Sequence, residues 1–121
     1  MSKNLEVSKL LDFYGILLTE KQREIAEYYY NDDLSLGEIA ENLDISRQGV
    51  RDSIKRSEAA LFEAEEKMCL VRRSQILENS LDEIKRNVGI IRVENEKYNN
   101  SAITDSTEKI LYEIENIMND E

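Results

Sequence analysis

The stretch Ser35–Val50, "SLGEIAENLDISRQGV", carries two helix-start signals so close together that few folds can hold both. Ser35 with Glu38 three residues later reads as a capping box, in which the serine oxygen accepts the Glu38 backbone N–H and the glutamate reaches back to the serine N–H. Leu36, Ile39, Ala40 and Leu43 then mark one short apolar stripe. Ser46 opens a second helix, with Val50, Ile54, Ser57 or Ala60, and Leu61 on its inward side. Two helices separated by about three residues, each with its own cap, cannot be collinear; they cross at a large angle, as in a helix-turn-helix.

The flanking segments extend this helical pattern. Leu5, Leu10, Leu11, Phe13, Tyr14, Leu17 and Leu18 recur with helical period and predict a first helix over Leu5–Leu18. Thr19 and Gln22 form another capping box ahead of a second helix that runs to about Tyr30, and "NDDLS" supplies turn chemistry after it. There is no Pro in the 121 residues and only four Gly, which leaves few places for tight hairpins. Beyond Met68 the pattern becomes heptad: Leu70, Leu77, Leu81, Ile84, Val88, Ile91 and Tyr98 fall on a and d positions, with Ser74 and Asn95 as polar a positions. Ile103, Ile110, Leu111, Ile114, Ile117 and Met118 repeat the theme, and Asn99, Asn100, Ser101 and Thr104 between the two runs supply turn and cap chemistry. The expected fold is all-α: a helix-turn-helix domain over residues 1–68, followed by a C-terminal two-helix extension over 69–121, built as a helical hairpin or a coiled coil. Its heptad seam serves either as an intramolecular core or as a homodimer interface, and Asn95 at an a position keeps the dimer open.

Several function classes are disfavoured at once. The chain has no His and one Cys, which removes the commonest general base and excludes a structural zinc site, so no metal, cofactor or catalytic residue is expected and the protein reads as non-enzymatic. No window approaches the roughly 18 consecutive apolar residues of a membrane span. With no membrane insertion and a lone thiol, Cys69, read as a small buried or half-buried side chain, the expected location is the cytoplasm. Asp32 and Asp33, like Glu63, Glu65 and Glu66, read as solvated charge rather than as acid–base pairs. Tyr28, Tyr29 and Tyr30 point in three directions, so at least one is core while another is free to stack on an RNA base or to line a partner surface.

Charge is distributed unevenly. The net charge is −10, yet residues 46–57 sum to +3, while 19–45 sum to −6, 58–69 to −3 and 70–121 to −4. Within the positive segment Arg47, Arg51 and Lys55 recur every four residues and share one helix face, with Gln48 beside them and Arg56 about a hundred degrees away. Arg47, Gln48 and Arg51 in the first turns of the second helix are able to make paired hydrogen bonds to base edges or phosphates. The competing reading is that these cations only solvate an amphipathic helix and pair with Asp52 or neighbouring glutamates. A small basic face inside a negative field is poorly equipped for tight duplex binding by a monomer.

Three stretches, "DFYGILLTEKQ", "YYYNDDLSLGEIA" and "ISRQGVRDSIKR", make roughly residues 8–70 resemble the YlxM-type proteins. These are small bacterial helix-turn-helix proteins usually encoded beside the genes for the signal recognition particle GTPase and its receptor. The helix-turn-helix half alone is also similar to region four of bacterial sigma factors; the "DFYGILLTEKQ" opening selects the YlxM type. The resemblance implies an accessory or regulatory role in the signal recognition particle pathway, with the particle's RNA or its GTPase as partner. A DNA-binding transcriptional regulator, and a helical protein-interaction module without nucleic-acid binding, are the alternatives. Carried onto this chain, Arg47, Gln48, Arg51, Lys55 and Arg56 match the recognition-helix positions, and Ile39, Ala40, Leu43, Ile45, Val50 and Ile54 match its core. Such sequences often place Gly where this chain has Asp44, so Asp44 is expected in a turn of positive φ.

Overall fold

Each helix begins where a side chain satisfies the first free backbone N–H groups. In the computed structural model, which describes residues 4–119, Asn4 caps α1 (Leu5–Tyr14) by accepting the Glu6 N–H at 2.9 Å. Both expected capping boxes are closed. Thr19 and Gln22 bond reciprocally at 3.2 and 3.1 Å ahead of α2 (Glu20–Tyr30), and Ser35 and Glu38 do so at 3.1 and 3.0 Å ahead of α3 (Leu36–Leu43). Ser46 accepts the Gly49 N–H at 2.9 Å and opens α4 (Arg47–Met68). Two further helices follow, α5 (Leu70–Asn95) and α6 (Ser101–Asn119), and among the described residues there is no strand. None of these helices is long and apolar enough to cross a membrane.

The first helix is shorter than its apolar pattern predicts. It ends at Tyr14, and Gly15–Leu17 form one 3-10 turn closed by the Leu18 N–H on the Gly15 carbonyl at 3.1 Å. That turn leaves Ile16 and Leu17 in solvent and turns only Leu18 inward.

The chain forms two compact units, divided after Arg72. In the first, α4 packs against α1, α2 and α3 and contributes to two cores. Val7, Leu10, Leu11, Tyr14, Leu18 and Ala26 meet Leu61 and Ala64 near the end of α4. Ile25, Ile39 and Ala40 meet Val50 and Ile54 near its start. Ser57 rather than Ala60 occupies the inward stripe between them, fully buried and with no partner for its hydroxyl. Asp44 does sit in the left-handed region (φ 54°, ψ 48°), and the three residues Asp44–Ser46 turn α3 into α4.

A single residue, Cys69, separates α4 from α5, with φ 55°. The break leaves the first N–H groups of α5 without an intrahelical partner. Glu65 supplies it, accepting the Val71 N–H at 3.0 Å and the Arg72 N–H at 3.1 Å. The buried Tyr14 hydroxyl donates to Glu65 Oε1 at 2.6 Å and accepts the Leu70 N–H at 2.9 Å. Glu65 is therefore a structural carboxylate and not the solvated charge that its sequence context implies. The Tyr14 hydrogen bond, with smaller help from the Val71 and Arg72 N–H groups, holds its carboxyl below the usual range against the opposing effect of burial. Burial and Glu65 together push the Tyr14 hydroxyl up.

In the second unit α5 and α6 form an antiparallel hairpin. At the closed end the Asn95 amide donates to the Asn100 carbonyl at 3.1 Å and to Thr104 Oγ1 at 3.0 Å, while its oxygen accepts the Asn100 N–H at 3.1 Å. At the open end Leu77, Leu81, Ile117 and Met118 line one cleft. Asn95 thus serves the turn and not a partner helix, and Tyr98, expected at a d position, lies beyond the end of α5 and exposed. The buried row of α5 is Leu81, Val88 and Asn95; that of α6 is Thr107 and Ile114.

Candidate nucleic-acid interface

The helical period that sends Val50 and Ile54 into the core sends the cations of α4 outward. Arg47, Gln48, Arg51, Lys55 and Arg56 are all exposed. Of the competing expectation, the pairing with neighbouring acids is not seen, since among the described residues none of the four forms an ion pair within 4.0 Å, while their exposure agrees with cations that solvate an amphipathic helix. Asp52, the one acid on the segment, accepts the Gln48 amide at 2.9 Å instead.

The predicted set is nevertheless not a single patch. Arg47 turns back along α3, where a Cβ added at Gly37 would meet its Nη2 at 3.1 Å and its Nε at 3.3 Å. The guanidinium lies across Gly37, so a side chain there would press on it. The shallow groove at this spot is lined by Ser35, Glu38, Glu41, Asp44 and Ile45 as well as Arg47, so the positive charge of Arg47 is set among carboxylates of α3. Arg51 and Lys55, one turn apart, and Arg56 beside Lys55 face water, and Gln48 shares its amide with Asp52. The sequence carried a hint of the Arg47 arrangement, a glycine in the first turn of a short helix, but only the crossing of the two helices shows what fills the space.

The tyrosine run offers no free ring. Tyr28, Tyr29 and Tyr30 are all half-buried against the core that contains Ile39 and Val50. Tyr29 and Tyr30 meet edge to face with centroids 4.9 Å apart. The Tyr30 hydroxyl donates to the Glu58 carboxylate, and burial, reinforced by that carboxylate, pushes its ionisation far up. Among the described residues no group of three His, Cys, Asp or Glu side chains could hold a metal ion.

Comparison with known proteins places this geometry in a family. Residues 1–102 match the UPF0122 family, described as "Putative helix-turn-helix protein, YlxM / p13 like". A UPF0122 protein of Thermoanaerobacter sp. strain X514 is 52% identical over 113 residues, covering 93% of this chain and 94% of that protein. Its counterpart in Acetivibrio thermocellus is 45% identical over 114 residues, covering 94% and 97%. In Halalkalibacterium halodurans a UPF0122 protein is 55% identical over 82 residues, covering 64% and 75%. With the capped α3–α4 pair in place and near full-length relatives at these identities, the chain belongs to the UPF0122 family of YlxM / p13-like helix-turn-helix proteins.

Proposed function

We propose that this protein is a non-enzymatic, cytoplasmic accessory factor of the signal recognition particle pathway that touches nucleic acid, the particle's RNA foremost, through the basic side of α4. The observation that carries the reading is that Arg51, Lys55 and Arg56 stand exposed with no ion pair among the described residues, on a segment, residues 46–57, whose one acid, Asp52, is engaged by Gln48. Arg47 and Gln48 complete the contact set, Arg47 after swinging off Gly37. The acidic groove of α3 beside Arg47 disfavours a long phosphate track and fits a short, local contact backed by a second surface, such as the particle's GTPase. Residues 1–68 act as the recognition domain and 69–121 as its extension. A homodimer suits this role, since two copies present two basic faces.

Duplex DNA is the second reading, favoured by the three-residue turn between α3 and α4, a geometry in which the second helix enters the major groove. Titrating the full chain against particle RNA, the GTPase and duplex DNA at physiological salt decides between them. RNA binding should show a log–log salt slope of about −2 to −3, from three or four single-strand phosphate contacts. Arg51→Glu with Lys55→Glu should abolish it while the melting midpoint stays put. Sequence-selective DNA binding alone would overturn the proposal, as would affinity unchanged in the double variant.

A further inference from the structure

The heptad pattern of the hairpin is only half used within one chain. The a row of α5 is buried against Thr107 and Ile114, but the d row remains open: Leu77 is 48% exposed, Ile84 46% and Ile91 47%. On α6 the row one turn from the buried one is just as open, with Ile103 at 37%, Ile110 at 41% and Ile117 at 46%. In an antiparallel pair these two rows rise on the same side of the seam, because a three-residue step rotates the same way about each helix and the helices run in opposite directions. The turn register stacks them in three layers, Ile91 with Ile103, Ile84 with Ile110, and Leu77 with Ile117; the last two side chains do line one cleft. The other side of the seam is mixed, with Glu78, Lys85 and Arg92 along α5 and the half-buried Leu111 and Met118 along α6. One side of the hairpin is therefore an aliphatic face of six branched side chains, each more than a third exposed.

We propose that this face is the contact surface of a homodimer, in which a second copy lays the same face across it with α5 antiparallel to α5 and α6 antiparallel to α6. The face is self-complementary under that two-fold. Ile84 and Ile110 fall at its centre, and Leu77 of one copy meets Ile91 of the other, as Ile103 meets Ile117. The rows bordering the face obey the same symmetry. Along α5 the border reads Arg73, Ser80, Asn87, Glu94, so the antiparallel copy sets each Arg73 against a Glu94 and each Ser80 against an Asn87. Along α6 Ser106 falls opposite Glu113. No like charges oppose one another, and the product is a four-helix bundle with a core two layers deep. The inference does not depend on which ligand α4 binds, because none of these residues lies on α4.

Sedimentation equilibrium of the full chain across the micromolar range tests it. The expected mass is that of a dimer. Ile84→Asp should give a monomer whose helical content, by circular dichroism, stays that of a folded chain. Arg73→Glu, which should leave the hairpin's own core intact, is expected to weaken association about tenfold by setting two pairs of carboxylates face to face. Adding Glu94→Arg to it should restore the affinity. A chain that is monomeric at about 100 µM overturns the proposal. So does a dimer indifferent to Ile84→Asp, and a charge reversal that fails to restore affinity overturns the antiparallel arrangement.

Discussion

The two units of this chain solve the same problem, burying helix faces, with very different resources. In the first, up to Arg72, thirteen buried apolar side chains, twelve from four helices and Leu18 from the turn between α1 and α2, fill two cores that α4 links. In the second, from Arg73 on, the buried apolar side chains among the described residues are only Leu81, Val88 and Ile114, beside the polar Asn95 and Thr107. The comparison teaches that helix count, more than hydrophobic content, separates them. Both sequences are rich in Leu and Ile, but two helices facing each other can cover only one row apiece, whereas α4 is surrounded on three sides.

The most direct way to break the contrast is to truncate matched core side chains. Leu61→Ala, at a site 1% exposed between α4 and α1, should cost about 3 kcal/mol and lower the denaturant midpoint of the first unit. Ile114→Ala should leave that transition in place and instead lower the stability of the hairpin. Loss of both signals together from either substitution would mean that the units do not unfold separately.

Acid sharpens the contrast further, because the first unit holds Glu65, whose ionisation the Tyr14 hydrogen bond displaces. Glu65 has a folded-state pKa below its unfolded value, so its contribution is fully present above about pH 4.3 and is lost as pH falls through the lower, folded-state value. The expected result is that Glu65→Gln lowers the melting midpoint at neutral pH and that the gap from the natural chain narrows on acidification. A gap constant from pH 7 to pH 3 would remove Glu65 as the source.

The smallest effect expected is a gain. At Asp44, with φ 54°, glycine removes the left-handed penalty, and Asp44→Gly should stabilise the first unit by roughly 1 kcal/mol in thermal melts. A midpoint unchanged or lowered would show that the Asp44 side chain compensates for its backbone.

What could be read from the sequence follows the range of the interactions. Capping boxes at Thr19–Gln22 and Ser35–Glu38 and the cap at Ser46 are local, and each is where the residue types put it; the left-handed Asp44 follows from the resemblance, which puts Gly at that position. The inward stripe of α4 was equally legible, down to the choice between Ser57 and Ala60 that only packing resolves. Long-range partners were not. Nothing near Glu65 in sequence announces Tyr14, and nothing near Arg47 announces the guanidinium's bed on Gly37; both depend on how helices cross. Period alone carries α5 on to Tyr98, but the helix ends at Asn95, whose side chain bonds Asn100 and Thr104. For the candidate interface, the exposure of Arg51, Lys55 and Arg56 followed from periodicity, while the withdrawal of Arg47 did not.

The stitched turn at Asn95 also bears on time. Its partners Asn100 and Thr104 lie within nine residues, so closing it asks little loop entropy and needs no contact with the first unit. From that point α5 and α6 can zip outward layer by layer through neighbours already held close. The first unit must instead bring Tyr14 to Glu65, 51 residues away, before its last helix junction is satisfied. The second unit, with the thinner core, thus closes on short-range contacts, and the first, with the thicker core, on a long-range one, the difference that sets folding rates apart.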